Sequence, residues 1–231
     1  MCHMSEPLEG AVKCGAMRKL KLDLTPAATV LCIGAHCDDI EIGCSGALLE
    51  LQQRTPGLAF HWVIFSSDGE REQESRNAAE RMLGSAPACT VDVQRFRGSY
   101  LPFEGAAVKD YFEAIAARVK PDVVFTHYLE DRHQDHRLLA ELTWNTFRRH
   151  LILEYEIPKY EGDLGHPNVY VPLAKAVVER KVDMLMESFP SQHQRSWFSR
   201  DLFLAHLRLR GIECNAESGF AEAFHARKLT L

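Results

Sequence analysis

The sequence predicts an α/β fold: a Rossmann-like, mostly parallel sheet with helices on both faces. Short apolar runs rich in β-branched residues alternate with segments of helical periodicity along most of the chain. The runs read as strands buried on both faces, which parallel sheets require. Each gives way to a loop of small or polar residues before the next helix. In sheets of this kind ligands bind beyond the carboxyl ends of the strands, near the point where strand order reverses.

The elements follow in order. Thr29-Val30-Leu31-Cys32-Ile33 is a first strand ending in Gly34-Ala35. Gly43-Cys44-Ser45-Gly46 leads into a helix read from Ala47 to Gln53. A strand from Phe60 to Phe65 passes through the loop 66–69 into a helix from Glu70 to Leu83. Another strand is expected from Val91 to Phe96. The helix from Ala106 to Val119 places Val108, Tyr111, Phe112, Ile115 and Val119 on one face, and Pro121 ends it. Asp122 to Thr126 is the next strand, and a helix from His136 to Arg149 follows. Beyond Leu151 the pattern loosens. A strand-like Leu151 to Ile157, a loop from Lys159 to Pro167, and helices from about Ala174 and Trp197 complete it, with a polar break from Ser188 to Arg195. Residues 1–26 read as a polar, loosely ordered leader and 27–231 as one domain.

Composition narrows the function. The chain of 231 residues is 46% hydrophobic and 26% charged, with a formal net charge of -5, an ordinary globular balance without the basic stripe that nucleic acid demands. No apolar run reaches the ~18 residues of a membrane span, so no membrane insertion is expected. Seven cysteines are an odd number without framework spacing, which suits reduced thiols and a cytoplasmic setting. Homo-oligomerisation is left open. The first βα turn lacks the G-x-G-x-x-G spacing and carries two carboxylates where a pyrophosphate would sit, against dinucleotide binding.

Two clusters carry the chemistry. Ala35-His36-Cys37-Asp38-Asp39 follows the first strand, and His133-Gln134-Asp135-His136 follows the strand that ends at Thr126. Alone, each is a common solvated turn or helix start. Together, at the ends of parallel strands, they supply imidazoles and carboxylates in the proportion a catalytic divalent metal needs. Three ligands of the His/His/carboxylate type leave a coordination position for water, and a further carboxylate beside them could take its proton. That points to a metal-dependent hydrolase. Two rivals stand beside it. His36-x-Asp38 with His136 also spells the facial triad of a non-heme iron enzyme, although those sites usually sit in β-barrels. A non-catalytic sugar-binding homologue is the other. Cys37 lies inside the first cluster, but nothing nearby would lower its pKa.

At these residues the chain resembles the PIG-L/LmbE-like family of zinc-dependent de-N-acetylases. That family carries Ala-His-Pro-Asp-Asp and, about a hundred residues on, His-Pro-Asp-His; here Cys37 and Gln134 replace the prolines. Weaker similarity lies in Arg71 and Glu74, in Lys181 followed by Ser191-Gln192, and in Glu222-Ala223-Phe224. The resemblance implies one zinc held by His36, Asp39 and His136, with Asp38 as general base. His133 would polarise or protonate the reacting amide and Asp135 would orient an imidazole. It implies an N-acetylated amino sugar in a soluble conjugate as substrate. Arg71 reads equally as a solvated helix-start arginine or a contact to a phosphate, carboxylate or diol. Gln192 and Arg195, with Trp197 and Phe198 beside them, have the character of a sugar-holding wall, and a packed helix start accounts for Trp197 as well.

Overall fold

The computed structural model describes residues 20–84, 86 and 88–230. Most of the expected leader lies outside them; of that leader, residues 20–26 form no helix or strand. Five parallel strands form the body of the sheet: β1 Thr29–Gly34, β2 Ala59–Ile64, β3 Ala88–Val93, β4 Val123–His127 and β5 Leu151–Tyr155. Two antiparallel strands, β6 Val169–Pro172 and β7 Ala221–His225, complete one edge in the order β3-β2-β1-β4-β5-β7-β6. Strand order reverses between β1 and β4. Both sequence clusters emerge there.

Alternate residues of β1 feed two cores. Val30 and Cys32 pack with Leu48, Phe60, Trp62, Met82 and Leu185 on one face, while Leu31 and Ile33 pack with Val63, Phe112, Ile115 and Leu139 on the other. The first face is covered by α1 Asp39–Arg54, α2 Gly69–Leu83, α5 Lys175–Ser188 and α6 Arg200–Glu213. The second is covered by α3 Gly105–Arg118 and α4 Gln134–Thr146. Among the described residues no helix is long and apolar enough to cross a membrane.

Several boundaries differ from the sequence expectation, each for a local reason. Helix α1 begins at Asp39, not at Ala47, because its glycines are packing positions instead of breakers. A Cβ on Gly43 would meet the Tyr155 ring at 2.1 Å, and one on Gly46 would meet Leu173 at 2.6 Å and Glu222 at 2.9 Å. Strand β3 starts three residues before Val91, in register with β2 through Phe60↔Cys89. Helix α4 starts at Gln134 with His133 as its cap, and α6 starts after Ser199, whose side chain accepts the Leu202 N–H.

The close approach at Gly46 serves a buried ion pair. Lys181 and Glu222 are both inside the core and paired to each other. Lys181 Nζ also donates to the Ile42 carbonyl at 2.6 Å, while Glu222 accepts the Gly46 and Ala47 amides at 2.8 and 2.6 Å. The pair thereby joins α5 and β7 to the middle of α1, the helix that begins with Asp39. Lys181→Met leaves the Glu222 carboxylate buried without a counter-charge. Breaking such a pair costs about 3–5 kcal/mol, so urea unfolding is expected to lose that much. A loss below about 1 kcal/mol, within the range of an exposed pair, would show that the lysine adds nothing.

Candidate metal centre

His36 and Asp39 come from the turn after β1, and His136 from the first turn of α4 beyond β4. Their ligand-type atoms form a triangle. His36 Nδ1 lies 3.2 Å from His136 Nε2 and 3.3 Å from Asp39 Oδ2, and Asp39 Oδ1 lies 3.5 Å from His136 Nε2. Zinc bound at about 2.0–2.1 Å in a tetrahedral site separates neighbouring nitrogen and oxygen ligands by about 3.3–3.4 Å. The two imidazole nitrogens are near that spacing, and the Asp39 carboxylate faces one of them with each oxygen, so the chemistry of the set suits such an ion. His36, His133 and His136 also form a potential metal-holding group, as do Asp39, His127 and His136. His127 is less suited as a ligand, because its Nε2 receives the Ala35 N–H at 2.9 Å, which occupies the lone pair a metal would need.

Electrostatics reinforce this picture. Burial opposes ionisation of Asp39, but His136, His127 and His36 hold it well below the usual carboxylate range. Burial likewise opposes a charge on His36, yet Asp39, Asp135 and Asp38 raise it to about 10, so an ion bound at this ring must displace a proton from it. His136 is pushed down to about 3, chiefly by burial, which leaves its Nε2 lone pair free.

Both imidazoles are fixed from behind. His36 Nε2 lies 3.3 Å from Asp135 Oδ2, and His136 Nδ1 lies 3.0 Å from Asp131 Oδ2. Such carboxylate partners set ring orientation and ligand basicity in metal sites. Asp135 in turn accepts the amides of Ser99 and Leu101 at 2.6 and 3.1 Å. Asp131 accepts the His133 amide at 2.7 Å and Lys159 Nζ at 2.9 Å, and Lys159 is also held by Asp163. The roles of Asp131, Lys159 and Ser99 were missed in the sequence. Only Asp131, two residues before His133, carried a signal, as a carboxylate able to cap the turn into α4.

Asp38 faces elsewhere. Its Oδ1 accepts Arg71 Nη2 at 2.8 Å, while its buried Oδ2 has no protein partner. Burial raises its pKa, partly offset by Arg71. The carboxylate in the triangle is thus that of Asp39, and a His36–Asp38–His136 iron triad does not converge. His133 stacks on His136 at 4.5 Å between centroids; burial and the His36 charge lower its pKa. Gln192 is buried, with its amide on Ser191 Oγ, and Ser191 binds Glu74 through both its N–H and its hydroxyl. Arg195 is exposed. Neither the Gln192 nor the Arg195 side chain makes a described contact with the cluster. Cys37 is buried against the Ser66 carbonyl, and burial pushes its thiol upward, away from nucleophilic use.

An imidazole–carboxylate cluster at the switch point of a doubly wound sheet defines a class: an α/β enzyme fold with a candidate His/Asp metal site. Residues 31–147 match the model of the PIG-L family, described as GlcNAc-PI de-N-acetylase, and the chain belongs to that family. It is 33% identical over 140 residues to the uncharacterized deacetylase YaiS of Escherichia coli strain K12, a match covering 56% of this chain and 74% of YaiS. Among solved structures it resembles N,N'-diacetylchitobiose deacetylase from Pyrococcus horikoshii, with a TM-score of 0.66 and 19% identity over 87% of this chain and 84% of the other. It also resembles GalB, the 4-carboxy-2-hydroxymuconate hydratase of Pseudomonas putida KT2440, with a TM-score of 0.70 and 16% identity over 88% and 98%. These two likenesses show the shared fold.

Proposed function

We propose that the protein is a zinc-dependent N-deacetylase that hydrolyses the acetamide of an N-acetylated amino sugar in a soluble conjugate. The observation that carries this reading is the division of labour between two adjacent carboxylates. Asp39 completes a triangle with two imidazoles, while Asp38 turns to Arg71 and keeps one oxygen free. Family membership supports the same reaction.

His36, Asp39 and His136 would hold the ion. A zinc ion there would supply an acidified water and polarise the acetyl carbonyl. Asp38 takes the proton of the attacking water through its free Oδ2, and Arg71 holds the other oxygen and so fixes the carboxylate plane. The C–N bond then breaks, acetate leaves, and the amine receives a proton. His133, beside His36 and His136, is placed to donate an N–H hydrogen bond to the developing oxyanion, and the proton taken by Asp38 is the one returned to the nitrogen. Asp135 and Asp131 keep the two imidazoles in orientation. Ser191 and Gln192, joined through Glu74 to the helix that carries Arg71, would form the sugar-facing wall with Arg195. A soluble conjugate is favoured because the net charge of -5 gives no pull toward anionic lipid.

The test is an acetate-release screen of zinc-loaded protein across nucleotide-linked, lipid-linked and pseudo-oligosaccharide N-acetylhexosamine conjugates. Acetate and free amine are expected in equal amounts from a soluble member. Protein with stoichiometric zinc that releases no acetate from any of them would overturn the reading.

A further inference from the structure

Ser99 sits at φ +65, in the left-handed region that non-glycine residues occupy at a cost and that clusters at functional sites. It is held there by the candidate metal centre itself. The Ser99 N–H donates to Asp135 Oδ2 at 2.6 Å, the same oxygen that lies 3.3 Å from His36 Nε2, and the Ser99 carbonyl accepts the Gln134 amide. Gly98 lies against the cluster, since a methyl group there would come within 4.0 Å of His36 Cδ2 and 3.3 Å of Ser66 Oγ.

What this fastened segment displays is unused by the reaction proposed above. The Arg97 guanidinium carbon lies 3.5 Å from the Tyr100 ring centroid. Tyr100 is 41% exposed and Phe103 76% exposed, with ring centroids 5.8 Å apart. Arg71, Arg95 and Arg118 are each paired with a carboxylate, whereas Arg97 has no acidic partner among the described residues. A strained turn, tied to a site of several carboxylates, thus presents an unneutralised guanidinium beside two aromatic rings with accessible surface.

We propose that residues 97–103 form a subsite for the part of the substrate beyond the sugar, and that it takes a planar base joined to an anionic diphosphate, the chemistry of a nucleoside diphosphate. The guanidinium donates charge-assisted hydrogen bonds to phosphate oxygens, and exposed rings stack a base. The subsite deepens the deacetylase reading by naming the conjugate, but it can be scored without turnover.

Calorimetry with uridine diphosphate, which has no acetyl group, tests it on the zinc-loaded protein. Arg97→Ala and Phe103→Ala are each expected to weaken binding about tenfold, and the double variant about a hundredfold. Inorganic pyrophosphate separates the ring from the charge: its binding should fall in Arg97→Ala and stay in Phe103→Ala. Melting temperatures close to wild type establish that the variants are folded. No uridine diphosphate binding by the wild type, or binding unchanged in both folded variants, overturns the subsite. Tight binding that depends on both residues supports it even if no N-acetyl sugar releases acetate, an outcome that would remove the deacetylase reading alone.

Discussion

His136→Ala is expected to lose both bound metal and acetate release. Its Nε2 is one corner of the triangle, 3.2 Å from His36 Nδ1 and 3.5 Å from Asp39 Oδ1. Alanine leaves an imidazole and a carboxylate from one turn, without the ligand from the other side of the switch point. It also strips Asp131 of the nitrogen it orients at 3.0 Å. Metal analysis after dialysis should fall from one zinc per chain to near none, with acetate release at background. Stoichiometric metal in the folded variant would show that the ion is held by other residues.

Asp38→Asn separates chemistry from binding. The substitution keeps size and shape, and the amide oxygen can still accept the Arg71 hydrogen bond. What it removes is the basicity of the free oxygen. General-base catalysis contributes about 10²–10⁴-fold, and disturbed positioning of the water adds to the loss. Metal content is therefore expected to stay at one per chain while the rate falls by roughly three orders of magnitude or more. Turnover near wild type would remove Asp38 from the mechanism.

Much of this was legible in the residues alone. The four inner parallel strands were visible because strands buried on both faces are nearly continuous apolar runs, as in Val123-Val124-Phe125, whereas the edge strand β3 is exposed or half-buried and was placed three residues late. The two clusters were visible because strand-end motifs put imidazoles and carboxylates at fixed spacing, while the choice of Asp39 over Asp38 as a ligand came from the family resemblance. Other features depended on partners distant in sequence. Gly43 and Gly46 read as a lead-in to the helix, because the Tyr155 ring and the Glu222 carboxylate that press against them lie far away in sequence. Strands β6 and β7 escaped notice because Val-Tyr-Val-Pro and Ala-Glu-Ala-Phe-His are short and carry no strong apolar run. Arg71 could be read as a ligand contact or a solvated arginine; its hydrogen bond goes to Asp38 across 33 positions. The support from Ser99 and Leu101 is made by backbone N–H groups, which every residue but proline carries and no motif marks.

The two positions where family prolines are replaced, Cys37 and Gln134, share one property. Each donates to a backbone carbonyl of a neighbouring loop, Cys37 to Ser66 and Gln134 to Ser99. Gln134 stands at the first residue of α4, where proline is at home and has no N–H to lose. Proline stiffens a loop by reducing the freedom of the unfolded chain, a contribution independent of native contacts. A side-chain hydrogen bond acts only while both partners remain in place. The order of these two loops is therefore conditional on the native packing around them. It can be given up in a local opening far smaller than global unfolding, so warming or mild denaturant would loosen the mouth of the site while the sheet beneath stays intact.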